Sequence, residues 1–367
     1  MKADKKIGFI AGSVLFTAYF FLAARSVPLE TVLIPRWLNS VETGVSEYLG
    51  GAPAGEEDAS MPPQRIPFTL GSRFGYVSRD GLFSVNQVRK ANVSLSRERW
   101  AEYEEEPSRI AVYDSGGEQA ALIETPRGYP FFFDGKTFLI NAEQNAVSAV
   151  DESGAVLWSY EFAGPLTDVD SAAGLLLVAT LDGMAGLLDS NGKQVFSFKP
   201  GGSQYSVILG CAISRDGSRL ALISGIDDQR FLVLERFGSS ADYKVVYHEF
   251  LGDAFRRKVY ISFIEDDRWI VFERVGGLGF YEISSRKSSK VDLDGEVCEI
   301  DHWGGKGIVF TVISRSENAK ELIGIRLPDR VIIKSPFKSE EVFLGRMNSR
   351  LVVGGGQTLA SFDLEKR

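Results

Sequence analysis

The sequence of 367 residues predicts an all-β protein, and three observations support this fold class. Glycine occurs 38 times, which suits a fold with many tight turns because glycine adopts positive φ angles without steric cost. Phenylalanine (25 residues) and tyrosine (12 residues) are also frequent, and aromatic residues favour strands. Residues 149–162 read AVDESGAVLWSYEF, which alternates apolar and polar residues on both sides of a Glu-Ser-Gly turn and predicts a β-hairpin.

The turn of this hairpin recurs along the chain. An Asp-x-x-Gly pattern begins at Asp114, Asp151 and Asp189, so that the aspartates are 37 and 38 residues apart. Trp158 and Phe196 follow the second and third aspartates by seven residues. The carboxylate can accept hydrogen bonds from the backbone of its own turn, and the glycine takes the positive φ angle. A period near 40 residues, with about four short strands in each unit, predicts a β-propeller.

The same period divides the rest of the chain into about seven four-stranded blades. The predicted blades are residues 72–125, 126–163, 166–201, 205–252, 259–295, 296–339 and 340–364. The last of these holds only three strands, so we expect residues 66–70 to supply the fourth and close the ring, because closure removes an exposed sheet edge. The predicted propeller domain therefore covers residues 66–367.

Two stretches resemble known propeller families. Residues 149–158, AVDESGAVLW, resemble the quinoprotein-type (PQQ-like) repeat, which has Ala-x-Asp, a glycine turn and then Trp. Residues 214–221, SRDGSRLA, resemble the Ser-x-Asp-Gly element of WD40-like propellers. The resemblance covers about residues 66–367 and implies structural roles, in which the Trp packs between blades and the Asp ties the turn. The structural positions predicted in this way are Asp114, Gly117, Asp151, Gly154, Trp158, Asp189, Gly192 and Phe196.

The N-terminal segment predicts a membrane anchor. Lys2, Lys5 and Lys6 precede an uncharged apolar run, so we predict a cytoplasmic tail at residues 1–6 and a transmembrane signal-anchor at residues 7–25. A cleaved signal peptide is the alternative interpretation. Residues 26–65 are predicted to form a juxtamembrane segment, with an amphipathic helix at 35–49 and then a linker. The expected localisation is single-pass in the inner membrane, with the propeller in the periplasm.

Composition and motifs argue against catalysis and against nucleic acid. The net charge of −8 provides no basic face for phosphates. Two cysteines and two histidines form no metal-ligand spacing, and the acidic stretches at Asp227 and Glu265 fall where solvated turns are expected. A quinone-dependent dehydrogenase would be expected to carry several Trp-ended repeats and adjacent cysteines, which this sequence lacks. We therefore predict no catalytic residue, cofactor or metal.

Residues 82–109 are too long for one strand and one turn. We predict a pair of strands that overhang the ring. Trp100, Tyr103 and Glu104 in this segment are candidates for a partner-binding site, because amphipathic aromatic residues among charges suit a protein interface. A local cap over the edge of the blade is the alternative interpretation of this segment.

The predicted function is that of a non-catalytic, membrane-anchored periplasmic scaffold that binds envelope protein partners. In layout, such a protein resembles the propeller subunit of the outer-membrane protein assembly machinery. One alternative is a small-ligand sensor that uses polar residues of the innermost strands; the candidates are Asp168, Asp170, Glu299 and Asp301. The second alternative is a quinone-dependent or other propeller enzyme.

Overall fold

The computed structural model describes residues 30–44, 46–49, 65–124, 126–238, 242–301 and 304–366. These residues contain 32 strands and no helix. The chain divides into two compact units, Ile34–Asp363 and a smaller unit of Met1–Leu33 with Leu364–Arg367. Of the smaller unit, the structure describes residues 30–33 and 364–366. The larger unit is an all-β propeller with eight blades.

The second, third and fourth blades each contain four antiparallel strands in sequence order. The second blade is formed by β6 (Asn92–Leu95), β7 (Arg99–Tyr103), β8 (Arg109–Asp114) and β9 (Gln119–Glu124). The third is formed by β10 (Tyr129–Phe133), β11 (Lys136–Ile140), β12 (Ala146–Val150) and β13 (Val156–Glu161). The fourth is formed by β14 (Leu166–Ala172), β15 (Leu175–Thr180), β16 (Ala185–Leu188) and β17 (Gln194–Phe198).

The fifth, sixth and seventh blades have the same strand order. The fifth contains β18 (Ile208–Ile213), β19 (Arg219–Ser224), β20 (Arg230–Arg236) and β21 (Tyr243–Phe250). The sixth contains β22 (Ile261–Ile264), β23 (Trp269–Arg274), β24 (Gly277–Glu282) and β25 (Lys287–Asp292). The seventh contains β26 (Glu296–Ile300), β27 (Ile308–Ser316), β28 (Ala319–Arg326) and β29 (Arg330–Lys338).

The first and eighth blades depart from the four-stranded pattern. The first has three strands, β3 (Arg65–Leu70), β4 (Arg73–Ser78) and β5 (Phe83–Val88). The eighth begins with β30 (Val342–Met347), β31 (Arg350–Gly355) and β32 (Thr358–Lys366). It is completed by two strands from the N-terminal side of the chain, β1 (Thr31–Ser40) and β2 (Ser46–Tyr48), in the order β30-β31-β32-β1-β2. An early segment of the chain therefore closes the ring.

The predicted number of seven blades is wrong, because the segment 72–125 contributes strands to two blades. Three residues separate β5 from β6, so the sequence shows no clear boundary there. Residues 82–109 do not overhang the ring; β5 belongs to the first blade, and β6 and β7 belong to the second. Residues 66–70 lie in the innermost strand of the first blade, so the predicted closing strand was also misplaced.

The amphipathic helix predicted at residues 35–49 is also wrong, because this segment forms β1 and β2. Trp37, Asn39 and Val41 are buried, whereas Pro35 and Leu38 are exposed, so burial follows the two-residue period of a strand. Positions i and i+4 lie on one face in a helix and also in a strand. The spacing of Trp37 and Val41 therefore fitted both structures.

The membrane prediction also requires correction. Within the described ranges, the structure has no helix with the length and apolar character needed to cross a membrane. A single-pass anchor in the inner membrane is therefore not supported, and the localisation predicted from it is withdrawn. The predicted span itself, residues 7–25, lies outside the described residues.

The hydrophobic core lies between neighbouring blades. Second strands such as β15, LLLVAT, are buried on nearly every residue because both sheet faces pack against other blades. Between the fifth and sixth blades, Phe231 stacks on Phe272 with ring centroids 4.4 Å apart. Between the first and second blades, Phe74 meets Trp100 edge to face at 5.2 Å. Each blade thus depends on its neighbours for burial.

Candidate functional site

The three repeated turns share one hydrogen-bonding pattern. In each, a carboxylate oxygen of Asp114, Asp151 or Asp189 accepts hydrogen bonds from two backbone amides of its own turn, at 2.8–3.0 Å. A register shift in the third strand precedes each aspartate. The amide of the final glycine donates to the carbonyl of the aspartate. The turns therefore hold the bulged hairpins between the third and fourth strands.

Trp158 connects the third blade to the turn of the fourth. Its indole Nε1 donates to the Ser190 carbonyl at 2.9 Å. Gly192 has a φ of +75°, and a Cβ at this position would lie 2.5 Å from the indole ring. Phe196, at the equivalent position of the fourth blade, lies 5.0 Å from the ring of Tyr243 in the fifth. These aromatic residues lie between neighbouring blades.

The contact between Gly192 and Trp158 gives a stability prediction. The change Gly192→Ala is expected to lower the free energy of unfolding by about 2–3 kcal/mol, because an added methyl strains a left-handed residue and overlaps the indole. Gly174→Ala is the matched control, since Gly174 has a φ of +74° and open space around it; its expected cost is about 1 kcal/mol. Urea denaturation measures both. Equal losses in the two variants would show that the indole contact contributes nothing.

A cavity of about 820 Å³ occupies the channel of the propeller. It is lined by residues from the innermost strand, or from the following loop, of every blade. The loops that contribute to it, with Glu98, Asp134, Arg215 and Glu265 among their residues, join first and second strands. Because antiparallel strands alternate in direction, these loops all lie on one face, here named the channel face. The cavity therefore opens on the channel face.

Two of the acidic residues predicted on innermost strands attach the fourth blade to the fifth. Asp168 forms an ion pair with Lys258 at 2.5 Å and accepts a hydrogen bond from the Cys211 amide at 2.9 Å. Asp170 accepts hydrogen bonds from the amides of Ile213 and Ser171, each at 2.9 Å. Burial raises the pKa of Asp170 to about 7. Asp170 also lines the cavity, whereas Asp168 is buried behind it.

The other two acidic residues have opposite surroundings. Asp301 forms an ion pair with Arg346 at 2.8 Å, and both side chains are completely buried. Glu299 lines the cavity, and within the described part of the chain its carboxylate has no hydrogen bond or ion pair. Burial alone raises the pKa of Glu299 to about 7. Asp168 and Asp301 therefore connect neighbouring blades. Asp170 also connects two blades but faces the cavity, and Glu299 has no side-chain partner among the described residues.

The other polar candidates are engaged in structural contacts. Glu265 accepts a hydrogen bond from the Gly307 amide at 3.0 Å, and Asp266 and Asp267 bind Arg215 at 3.0 and 2.8 Å. Asp227 accepts hydrogen bonds from Ser203 and Gln204. Among the described ranges, no group of three His, Cys, Asp or Glu residues is placed to hold a metal ion. His302 lies outside the described residues.

The predicted partner-binding residues lie in different environments. Trp100 is 3% exposed, and its ring stacks on Tyr113 at 4.4 Å, so this side chain belongs to the core. Tyr103 is half-buried, and its hydroxyl lies 3.2 Å from that of Ser94. Glu104 is exposed in the loop after β7. A role for Tyr103 and Glu104 in partner binding stays a prediction.

Sequence reasoning missed a second surface, here named the apolar patch, which contains Leu181, Tyr205, Phe250 and Val275. These side chains are 51–59% exposed. Leu181 and Val275 lie in loops between second and third strands, Tyr205 lies between two blades, and Phe250 ends an outer strand. All four positions fall on the face opposite the channel face. An apolar residue directly after a buried second strand, as in LLLVATL, was the available signal for Leu181.

Local contacts connect the members of the apolar patch. The loop that carries Leu181 packs closely against the segment that carries Tyr205. A Cβ added to Gly183 in the first would lie 2.7 Å from Ser206 in the second. The guanidinium of Arg230 lies 5.4 Å over the ring of Phe250. Arg274, which precedes Val275, donates a hydrogen bond to the carbonyl of Leu251, the residue after Phe250. The patch therefore extends across the fourth, fifth and sixth blades.

The fold and these two surfaces define an eight-bladed propeller with an acidic channel cavity on one face and an apolar patch on the other. The chain belongs to a family of beta-propeller proteins, whose family model matches residues 1–366. A curated protein of Treponema pallidum (strain Nichols), described as an uncharacterized protein, is 30% identical over 328 residues. The matched region covers 86% of this chain and 83% of that relative.

Solved structures with low sequence identity share the architecture. The crystal structure of BamB from Moraxella catarrhalis gives a TM-score of 0.58 at 10% identity, covering 90% of this chain and 100% of that one. The crystal structure of a computationally designed protein gives 0.57 at 12% identity, covering 83% and 98%. At this identity the likeness concerns the fold alone.

Proposed function

We propose that this propeller is a non-catalytic scaffold that binds a protein partner through the apolar patch. The observation that carries the proposal is the exposure of four large apolar side chains on one face of three consecutive blades. Contiguous exposed apolar surface marks interaction sites on soluble domains. Aromatic residues and arginine are the residue types that contribute most to protein interfaces, and Tyr205, Phe250 and Arg230 bring them together.

Arg230 indicates the chemistry of the partner. Apart from its contact with Phe250, the guanidinium has no hydrogen bond or ion pair among the described residues, and its Nε atom is buried without a partner. An arginine fork matches the geometry of a carboxylate and binds it through two parallel hydrogen bonds. The partner segment that fits this surface therefore has apolar side chains for the patch and an Asp or Glu for Arg230.

The repeat architecture supports a rigid platform for such a surface. The turns at Asp114, Asp151 and Asp189 and the contact of Trp158 with the next blade also support a relationship to the quinoprotein-type propellers. Loops on two faces of a rigid ring are suited to presenting separate binding surfaces. The likeness to BamB supports the architecture and does not transfer its function.

A crosslinking pull-down with the full chain tests the proposal. The variant Tyr205→Glu/Phe250→Glu is expected to reduce the capture of a partner at least about tenfold, because two charges enter the apolar contact. The matched control is Val156→Glu/Leu157→Glu, which places the same charges on exposed apolar residues of the third blade. Circular dichroism verifies that both variants fold.

Arg230→Glu tests the partner chemistry separately. Charge reversal is expected to weaken binding of the same partner at least about tenfold, since it places the new carboxylate opposite the acidic residue of the partner. A partner that remains bound to the Tyr205→Glu/Phe250→Glu variant, or that is lost equally from the control, would contradict the apolar patch as its binding surface.

A further inference from the structure

The channel cavity is a second surface that the proposed scaffold function does not use. It opens on the channel face, whereas the apolar patch lies on the opposite face. Its volume of about 820 Å³ falls in the range of cavities that hold small organic ligands, about 300–1,000 Å³. Ile213, Ile264 and Leu344 supply apolar lining from three different blades. The cavity is therefore suited to a ligand with an aliphatic part.

Glu299 lines this cavity, and its side chain has no protein partner among the described residues. Its carboxylate makes no hydrogen bond and no ion pair within the part of the chain that the structure describes. The register of β26 against β27 shifts between Val297 and Glu299, and such bulges re-aim the side chains beside them. A buried ionised carboxylate without a partner is costly, so a bound cation would stabilise it.

Asp170 adds a second carboxylate to the cavity from the fourth blade. Its two oxygens accept one backbone hydrogen bond each, which leaves acceptor capacity on both. Tyr260, in the sixth blade, lies within electrostatic reach of Glu299, Asp170 and Asp301. Its hydroxyl forms a hydrogen bond with Ser262, which lines the cavity.

The cations near the cavity do not neutralise Glu299. Arg346 is paired with Asp301 and with three backbone carbonyls. Arg97 donates to the Arg346 carbonyl at 3.3 Å, and its charge interacts with Asp301 and Glu98. Arg215 is paired with Asp266 at 3.0 Å, and the thiol of Cys298 is a further titratable group within electrostatic reach of Glu299. The negative charge of Glu299 is therefore available to a ligand.

We propose that the channel cavity binds a small organic cation, an amine or a guanidinium compound, through the carboxylates of Glu299 and Asp170. The cationic group supplies the charge that Glu299 lacks, and the aliphatic part contacts Ile213, Ile264 and Leu344. A metal ion is a poorer match, because two carboxylates from separate blades supply few of the six to eight oxygen ligands that Ca²⁺ takes.

Isothermal titration calorimetry with the full chain tests this proposal, with cadaverine and agmatine as probes and pentanediol as the neutral control. Binding of at least one probe is expected at pH 8. Its affinity is expected to be at least about tenfold weaker at pH 6, where Glu299 and Asp170, each with a pKa raised to about 7, are mostly protonated. The reason is that a carboxyl with a pKa of about 7 is about 91% ionised at pH 8 and about 9% at pH 6. Pentanediol is expected not to bind.

Variants assign the binding to the cavity. Glu299→Gln is expected to weaken binding of the probe at least about tenfold at pH 8. It is also expected to reduce the pH dependence, and the remaining dependence comes from Asp170, whose pKa is also about 7. Glu104→Gln, an exposed carboxylate on the opposite face, is the matched control and is expected to bind normally. Absence of binding by both probes at pH 8, or equal affinity in the wild type and Glu299→Gln, would overturn the proposal.

Glu299→Gln also has a stability readout that verifies folding. The pKa of Glu299 rises from 4.5 to about 7 on folding, so the folded state binds this proton more tightly than the unfolded state. The stabilising contribution of the protonated form is lost as the pH rises from about 4.5 to about 7. The variant is expected to lose less stability than the wild type over this range. A variant with a lower melting temperature at every pH would instead indicate that Glu299 has a structural role. Weaker binding of the probes by such a variant would then count against the proposal.

Discussion

The change Arg346→Met is expected to lower the free energy of unfolding by about 3–5 kcal/mol, because it leaves a buried carboxylate without its partner. Arg346 and Asp301 are completely buried, and their atoms approach to 2.8 Å. The guanidinium also donates to the carbonyls of Gly305, Ile308 and Asn348. This group of hydrogen bonds connects the seventh blade to the eighth. Urea denaturation measures the loss.

An exposed ion pair provides the control for Arg346. Arg215 and Asp266 also approach closely, at 3.0 Å, but both side chains are mostly exposed. Arg215→Met is therefore expected to cost less than about 1 kcal/mol. The double change Arg346→Met/Asp301→Leu should recover part of the loss, since it removes the orphaned charge. A loss from Arg346→Met as small as that from Arg215→Met would contradict the structural role given to the buried pair.

The change Trp37→Ala is expected to lower the free energy of unfolding by about 3–5 kcal/mol, the usual cost of truncating a buried tryptophan. Trp37 is 1% exposed and lies on β1, the N-terminal strand of the eighth blade. Its indole donates to the Arg79 carbonyl at 2.9 Å and packs against Gly81, both in the first blade. The residue therefore joins the two blades where the ring closes.

Leu38 provides the matched control on the same strand. Its side chain is 37% exposed and points to the other face of β1, so Leu38→Ala is expected to cost less than about 1 kcal/mol. Both variants are measured by urea denaturation and by limited proteolysis near the N-terminus. Equal and small losses would show that β1 contributes little to closure of the ring.

Local turn chemistry explains why the sequence predicted the repeat. Asp151 and Gly154 act within a single turn, and the same spacing recurs at Asp189 and Gly192. The pattern can therefore be recognised from the sequence without tertiary information. Trp158 was predicted between blades and lies there, against Gly192. The closing strand was missed because β1 pairs with β32, from the opposite end of the chain.

The candidate sites were less predictable than the turns. Glu299 and Asp170 were predicted as channel residues, yet the sequence held no information on which carboxylate has a partner, since Lys258 and Arg346 come from other blades. Trp100 was predicted on the surface because charges surround it in sequence, but Phe74 from the first blade covers it. The apolar patch combines residues from three blades.

By itself, the sequence determined that this protein is all-β and built from repeated hairpins, because turn geometry and strand alternation depend on residues close together in the chain. The tertiary structure decided that there are eight blades and that β1 closes the ring. It also left Glu299 in the channel without a side-chain partner among the described residues. These features depend on contacts between segments that are distant in sequence, and on the way in which each blade buries the face of its neighbour.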